Sequence, residues 1–262
     1  MIKISLHFTH NELESALDLK DKNLVVIDIL RTSTTMITGL FNGAREIIPT
    51  EDVATAGLIG RNSMGQSLLC GERYGKVIEG FNLGNSVKEY NKETVNGKTL
   101  IFSSTNGTPA IVKCKFTKSC AILGFANLSR VVQYLINLNE DFIILCAGRS
   151  GEFSLEDTVC AGMLISKLIR RNPKEKYYLT DSALGSTKLY QVYKDDLAKM
   201  MHETEHGKYL IELGFADDLD ECAKVDTCAC LPVMRNASIK LLESFESDPK
   251  LTMKKVSQKG NR

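Results

Sequence analysis

At 262 residues, with 43% hydrophobic and 25% charged side chains, the chain has ample material for one large core and reads as a soluble globular protein. Its net charge of +1 excludes a nucleic-acid surface that works by bulk electrostatics, and no apolar run approaches the length of a membrane span. The opening MIKISLHFTHNE lacks the apolar core of a signal peptide, so a cytoplasmic location is expected and the eight cysteines read as buried thiols rather than disulfides. Cys222, Cys228 and Cys230 cluster without the paired spacing of a structural zinc site, which favours core packing over metal.

In chain order, the first predicted strand, 23–30, is a continuous apolar run of the kind covered on both faces. It ends in VVIDILRTSTT, where Asp28 precedes Arg31 and four consecutive hydroxyl residues that open a helix over 33–42. Capping by Thr32 or Ser33 explains one hydroxyl. Arg31 with Thr34 and Thr35 at a helix N-terminus instead describes an anion cradle. A strand over 46–49 and a helix over 51–61 follow. After a strand over 67–71 comes GERYGKVIEGFNLGNS, in which Glu72, Arg73 and Glu79 stand among four glycines. A loop that long inside a domain is functional or disordered, and Phe81 and Leu83 favour an ordered one. Ser86 and Glu89 form a capping box that opens a short helix over 86–90.

The strand predicted over 98–103 runs into SSTNGT and a helix over 109–113. Asn106-Gly107 alone signals a turn. With hydroxyls on both sides the segment resembles a phosphate-facing loop. It is not a Walker A loop, and no G-x-G-x-x-G follows any strand. A strand over 119–124 and a helix over 128–138 lead to a strand over 141–146 and then to CAGRSGEFSLEDTVCAG. Ser154 opens a helix over 155–171 with Glu156 and Asp157 in its first turn. Acids there are ordinary dipole partners. Two adjacent carboxylates behind Gly148 and Gly151, at the carboxyl end of a buried strand, also suit a hard cation. In open α/β sheets that end of the strands is where ligands bind.

The remaining elements are a strand over 176–181, helices over 187–201, 207–213 and 218–225, and a short strand over 227–233. HETEH, 202–206, matches HExxH literally, but the acids and Gly207 around it describe a solvated helix end. Lys250, Lys254, Lys255, Lys259 and Arg262 make a basic, frayed tail. The alternation of elements predicts an α/β protein: three layers, α/β/α, around a mixed, largely parallel sheet. One continuous unit spans 1–262, with 182–262 as a helix-rich flanking layer.

Four of these segments, between about residues 24 and 165, resemble in order and spacing the 2-phosphosulfolactate phosphatase family. VVIDILRTSTT is similar to its strand–Asp–Arg–hydroxyl element, and GERYGKVIEGFNLGNS to its E-R-G-G…E-G-F-D-x-G-N-S-P segment. STNGT and CAGRSGEFSLEDTVCAG match its other two. The resemblance implies a magnesium-dependent enzyme that cleaves 2-phospho-3-sulfolactate to sulfolactate and phosphate, a step that serves coenzyme M biosynthesis in methanogens. It implies Mg²⁺ held by some of Asp28, Glu79, Glu156 and Asp157, and a catalytic set of Asp28, Arg31, Glu156 and Asp157. Substrate contacts would come from Arg31, Arg73, Thr34, Thr35, Glu72, Asn85, Ser86, Thr105, Asn106, Gly107, Thr108 and Ser154. Whether water attacks directly or Asp28 forms an aspartyl-phosphate stays open. Tyr74, Asn82, Val87 and Pro109 depart from the family pattern. Asn82 removes a charged ligand or base, and Pro109 an anion contact. Another small phosphate ester, or a non-catalytic sulfonate or phosphate binder, is the alternative. The expected partner is a small anionic substrate, with neither nucleic acid nor membrane. A homo-oligomer is left open.

Overall fold

Val25 and Ile27 face one buried cluster while Leu24 and Val26 face another, so the strand that carries them is covered on both sides. That arrangement makes three layers. In this computed structural model residues 1–63 and 65–243 are described, and the basic tail lies outside them.

The strands are β1 (Ile2–His7), β2 (Asn23–Ile27), β3 (Glu46–Thr50), β4 (Ser67–Arg73), β5 (Lys76–Val77), β6 (Thr99–Ser103), β7 (Ser119–Leu123), β8 (Phe142–Cys146), β9 (Tyr177–Leu179), β10 (Pro232–Arg235) and β11 (Ser238–Leu241). The helices are α1 (Thr32–Phe41), α2 (Val53–Arg61), α3 (Lys92–Val95), α4 (Gly107–Lys113), α5 (Leu128–Leu138), α6 (Leu155–Arg171), α7 (Asp181–Tyr193), α8 (Leu197–Glu203), α9 (Glu205–Glu212) and α10 (Ala216–Ala223). The sheet order is β5-β4-β6-β3-β11-β10-β7-β2-β8-β1-β9. Helices α5 to α10 cover one face, and α1, α3 and α4 the other.

Two parallel groups make up this sheet. One is β4, β6 and β3; the other is β7, β2, β8, β1 and β9. The antiparallel hairpin β10–β11 joins them, pairing β7 at Cys120 and Ala121 and β3 at Ile47. These pairings sit near the beginnings of β7 and β3. At the opposite, carboxyl end the two groups meet through side chains instead, and the functional residues collect there.

Several elements differ from expectation. β1 was absent from the expected strands. Ile2, Ile4 and Leu6 alternate into the core beside β8 and β9, a signal of only three apolar residues. The strand expected over 227–233 begins at Pro232 and turns back through Asn236 and Ala237, both at positive φ. Such a turn is commonly marked by Asn-Gly, so Asn-Ala hides the hairpin. The helix expected over 187–201 is two helices, because the Asp196 side chain accepts the Lys199 N–H (2.9 Å) and starts α8. The helix expected over 86–90 is a single 3-10 turn, Val87–Glu89, with its capping box in place. All eight cysteines are buried and unbridged. No helix among the described residues is long and apolar enough to cross a membrane.

Candidate active site

Asp28 leaves the end of β2 inside the protein, because β2 is buried on both faces. The chain folds back on it at once. Its Oδ1 accepts the Thr32 N–H (3.2 Å), its carbonyl accepts the Ser33 N–H (2.8 Å), and its own N–H donates to Ser33 Oγ (2.9 Å). The three other hydroxyls of the run also have partners. Thr32 Oγ1 donates to Ser104 Oγ (3.1 Å), which ties one parallel group to the other. Thr34 Oγ1 donates to the Ile29 carbonyl (3.0 Å) and Thr35 Oγ1 to the Asn85 carbonyl (2.9 Å). Of the four, Thr32 alone lines the pocket.

Arg31 is 2% exposed, and much of its guanidinium is committed. Nη1 lies 2.7 Å from Asp218 Oδ2, Nη2 donates to the Gly75 carbonyl (2.8 Å), and the Phe215 ring lies 4.2 Å from Cζ. Ser86 Oγ donates to the second Asp218 oxygen (2.7 Å). On the facing wall Glu72 accepts the Thr105 and Gly75 N–H groups (2.7 and 2.8 Å) and the Thr105 hydroxyl (3.2 Å). One carboxylate thereby fastens the SSTNGT loop to the β4–β5 turn. Ser104 and Thr108 exchange bonds across the start of α4, and Asn106 Oδ1 accepts the Ser150 N–H (2.9 Å).

Gly107 packs directly on Asp28: a Cβ there would collide with Asp28 Oδ2 and the Thr32 side chain. Gly107→Ala is therefore expected to lower kcat by roughly a hundredfold through a displacement of about an ångström. The overall fold should persist, because Thr32 and Asp28 can shift into the pocket. Steady-state kinetics beside circular dichroism checks this, and an unchanged kcat would show that the contact carries no geometric constraint.

Helix α6 supplies the third wall. Ser154 caps it by accepting the Asp157 N–H (3.3 Å). Asp157 reaches back beneath Asp28 and accepts the Ile29 N–H (2.8 Å) and the Gly148 N–H (3.3 Å). Glu156 Oε1 stands 3.3 Å from His206 Nδ1. Burial pushes the Asp28 carboxyl up to about 6, against the opposing pull of Thr32 hydrogen bonding and His206; Glu72 adds to the rise. Burial, then the Asp28 and Glu156 charges, holds Asp157 well above the usual carboxylate range.

The result is a cavity of about 200 Å³ at the carboxyl ends of β2, β4, β6 and β8. Asp28, Arg31, Glu72, Asn85, Thr105 and Asn106 line it, together with Arg149, His206 and Tyr209. A second chamber of about 320 Å³ shares Arg149, Ser150 and His206 and holds Ser154 and Glu156. Asn85 Oδ1 is buried without a partner.

Other expected site residues stand elsewhere. Thr34, Thr35, Ser86, Thr108 and Asp157 brace the walls rather than line the cavity. The Arg73 guanidinium turns to the Glu72 carbonyl (2.8 Å) and Ser103 Oγ (2.9 Å). Glu79 is not brought to this pocket; it sits with Asn82 in a groove against α2, because the 71–86 segment turns at Tyr74-Gly75 and carries Glu79 to the outer side. Conversely, Arg149, Tyr209, Asp218 and His206 were not among the expected site residues. For His206 the signal was HETEH, but Thr204 ends α8 and caps α9. The two histidines therefore part: His202 pairs with Asp220 at the surface, while His206 enters the site.

The family model described as 2-phosphosulpholactate phosphatase matches residues 7–237. The chain belongs to the 2-phosphosulfolactate phosphatase family. It is 38% identical to a probable 2-phosphosulfolactate phosphatase of Caldanaerobacter subterraneus over 90% of this chain and 97% of that one. Like-named proteins of Thermotoga maritima (37%, 85% and 93%) and Clostridium acetobutylicum (34%, 91% and 100%) are also similar to it. Membership carries the expected enzyme class, a phosphoric monoester hydrolase.

Against the 2-phosphosulfolactate phosphatase pattern, the departures have local explanations. Tyr74 takes a left-handed turn (φ 54°) and its carbonyl accepts the Tyr209 hydroxyl (2.9 Å). Asn82 Oδ1 accepts the Leu69 N–H (2.8 Å), a bond that holds the loop to β4 and lies away from the cavity. Val87 packs against the core, and Pro109 occupies the first turn of α4, where a missing N–H costs nothing.

Proposed function

We propose that this chain hydrolyses 2-phospho-3-sulfolactate to 3-sulfolactate and phosphate, with Mg²⁺ bound at Asp28. The observation that carries the reading is a desolvated carboxylate, Asp28, in a pocket that also holds an unpartnered buried oxygen, Asn85 Oδ1. A deprotonated carboxylate so buried calls for a cation, and an orphaned amide oxygen calls for a donor or a metal. Among the described residues no three His, Cys, Asp or Glu side chains converge as a metal cage. Mg²⁺ binds through one or two carboxylates and keeps several waters and substrate oxygens, so the proposed site asks for no such cage. Asp28 and Asn85 Oδ1 are the atoms that would hold it. When bound, the ion supplies charge to the phosphoryl oxygens.

The protein supplies position. Arg31, its charge balanced by Asp218 and its face covered by Phe215, fixes one wall, and His206 adds a polar ring steadied by Glu156. Glu72 holds the Thr105 and Gly75 amides in one arrangement. The pocket floor at Asp28, Arg31 and Thr32 is buried, which strengthens the interactions made there. The eight free thiols suit a reducing cytoplasm, which belongs to the same proposal.

The test is phosphate release from 2-phospho-3-sulfolactate and a panel of other monoesters, with Mg²⁺ and with EDTA. Release from the sulfolactate ester that stops in EDTA and returns with Mg²⁺ is the expected result. Release from another ester alone would discard the substrate and keep the hydrolase. No release from any ester would replace the enzyme with a binding protein.

A further inference from the structure

The pocket contains two guanidinium groups that differ in freedom. Arg31 is part of the wall, its donors directed at Asp218 and Gly75 and its face covered by Phe215. Arg149 leaves the loop after β8 and lines both chambers. Its backbone is anchored, exchanging hydrogen bonds with Glu152 (3.0 and 2.9 Å), and the next residue is held by Asn106. The end of its side chain is not anchored in the same way. Nη1 lies 3.3 Å from Glu205, a carboxylate that is 89% exposed, and Cζ lies 5.5 Å from the Tyr209 ring. An ion pair with so exposed a partner contributes little, so the guanidinium can exchange Glu205 for a ligand oxygen with small loss.

The outer chamber narrows which ligand group Arg149 can meet. Glu152, Glu156, Glu203 and Glu205 line it, and Arg149 and His206 are its only cationic or imidazole side chains. The four carboxylates oppose an anionic substituent reaching outward from the inner pocket, and Arg149 and His206 are the groups that can offset them. In 2-phospho-3-sulfolactate the phosphate and carboxylate both attach at C2, whereas the sulfonate sits one bond further out, on C3. With the phosphoryl group placed at Asp28, the sulfonate is the anion that stands furthest from it along the substrate, and Arg149 is the cation shared by both chambers.

We propose that Arg149 is the specificity-determining residue that grips the substrate's sulfonate, the anion that is not transferred. The inference rests on the phosphatase reading above. A guanidinium fork matches two oxygens of a tetrahedral anion, and its weak hydration makes the exchange from Glu205 inexpensive. Arg149 acts here as a substrate contact and takes no part in bond breaking.

The experiment compares wild type, Arg149→Gln and Arg149→Lys on two esters: 2-phospho-3-sulfolactate and 2-phospholactate, which has a methyl group in place of the sulfomethyl group. Arg149→Gln is expected to lower kcat/KM for the first ester on the order of a hundredfold, mainly through KM. The ratio of kcat/KM between the two esters should fall at least tenfold, and Arg149→Lys should restore only part of it. Equal losses on both esters, or none on either, overturn the proposal. Calorimetric titration of wild type and Arg149→Gln with 3-sulfolactate and with lactate separates the two readings. If wild type hydrolyses neither ester but binds 3-sulfolactate, and the variant does not, the phosphatase reading falls and the sulfonate contact stands. If 3-sulfolactate binds the variant as well as it binds wild type, or binds neither, the sulfonate contact falls.

Discussion

Asp28→Asn is expected to reduce phosphate release on the order of 10³-fold while making the metal-free protein more stable above pH 6. Asp28 is buried, and its carboxyl titrates at about 6 in place of 3.8. For an acid whose folded value is raised, the folded state binds the proton more tightly than the unfolded chain. That stabilisation is complete below about pH 4 and is lost as the pH rises through 6. By pH 7.5 the ionised carboxylate costs about 3 kcal/mol relative to its neutral form. Asparagine has the same shape, stays neutral, and can still accept the Thr32 N–H through Oδ1. It also removes one of the charges that raise Asp157. Urea unfolding in EDTA at pH 4.5 and 7.5 measures this: the variant should gain at the higher pH and little at the lower. Adding Mg²⁺ should raise the midpoint of wild type and leave the variant's in place. Equal wild-type and variant midpoints at both pH values would mean that Asp28 is not destabilised by its setting, and the argument for a cation there would lose its basis.

Asp218→Ala is expected to destabilise the protein by about 3–5 kcal/mol, the scale for a buried charge left without its partner. Arg31 and Asp218 are each 2% exposed, and Ser86 loses its acceptor in the same change. The double variant Arg31→Met, Asp218→Leu should recover most of that loss, because it removes both charges and fills the space with apolar groups. It should not recover phosphate release. Urea midpoints and phosphate assays on the single and double variants decide the matter. A loss below about 1 kcal/mol for Asp218→Ala would mean that water reaches Arg31 and the pair acts as a surface one.

How much of this was legible in the sequence divides by distance along the chain. Apolar runs such as 23–27 and 99–103 give buried strands because their patterns are local, and polar residues at strand ends mark where a ligand would sit. Asp28, Thr105 and Asn106 were read that way, Glu72 from the glycine-rich loop and Asn85 from the family resemblance, and the five share one cavity. The partners of these residues were not legible. Arg31 meets Asp218 across 187 residues, and no spacing rule reports such a contact. The same holds for His206, which arrives on a helix whose sequence reads as a solvated end. The four-hydroxyl run misled for a related reason. Ser, Thr and Asp side chains bond nearby backbone, and here Ser33 and Thr34 close the turn around Asp28 rather than face the pocket.

The β10–β11 hairpin has a consequence for the timing of synthesis. Residues 232–241 leave the ribosome after every other described strand, yet they fill the middle of the sheet. Without them the sheet divides into two parallel groups whose inner strands, β3 and β7, lack these partners. Unpaired edges of that kind recruit strands from other molecules. The Asp28–Gly107 contact and the Thr32–Ser104 bond cross the same seam, so hairpin and pocket hold the two groups together at opposite ends of the strands. A chain stopped short of residue 232 is thus a candidate for degradation rather than a weaker version of the enzyme.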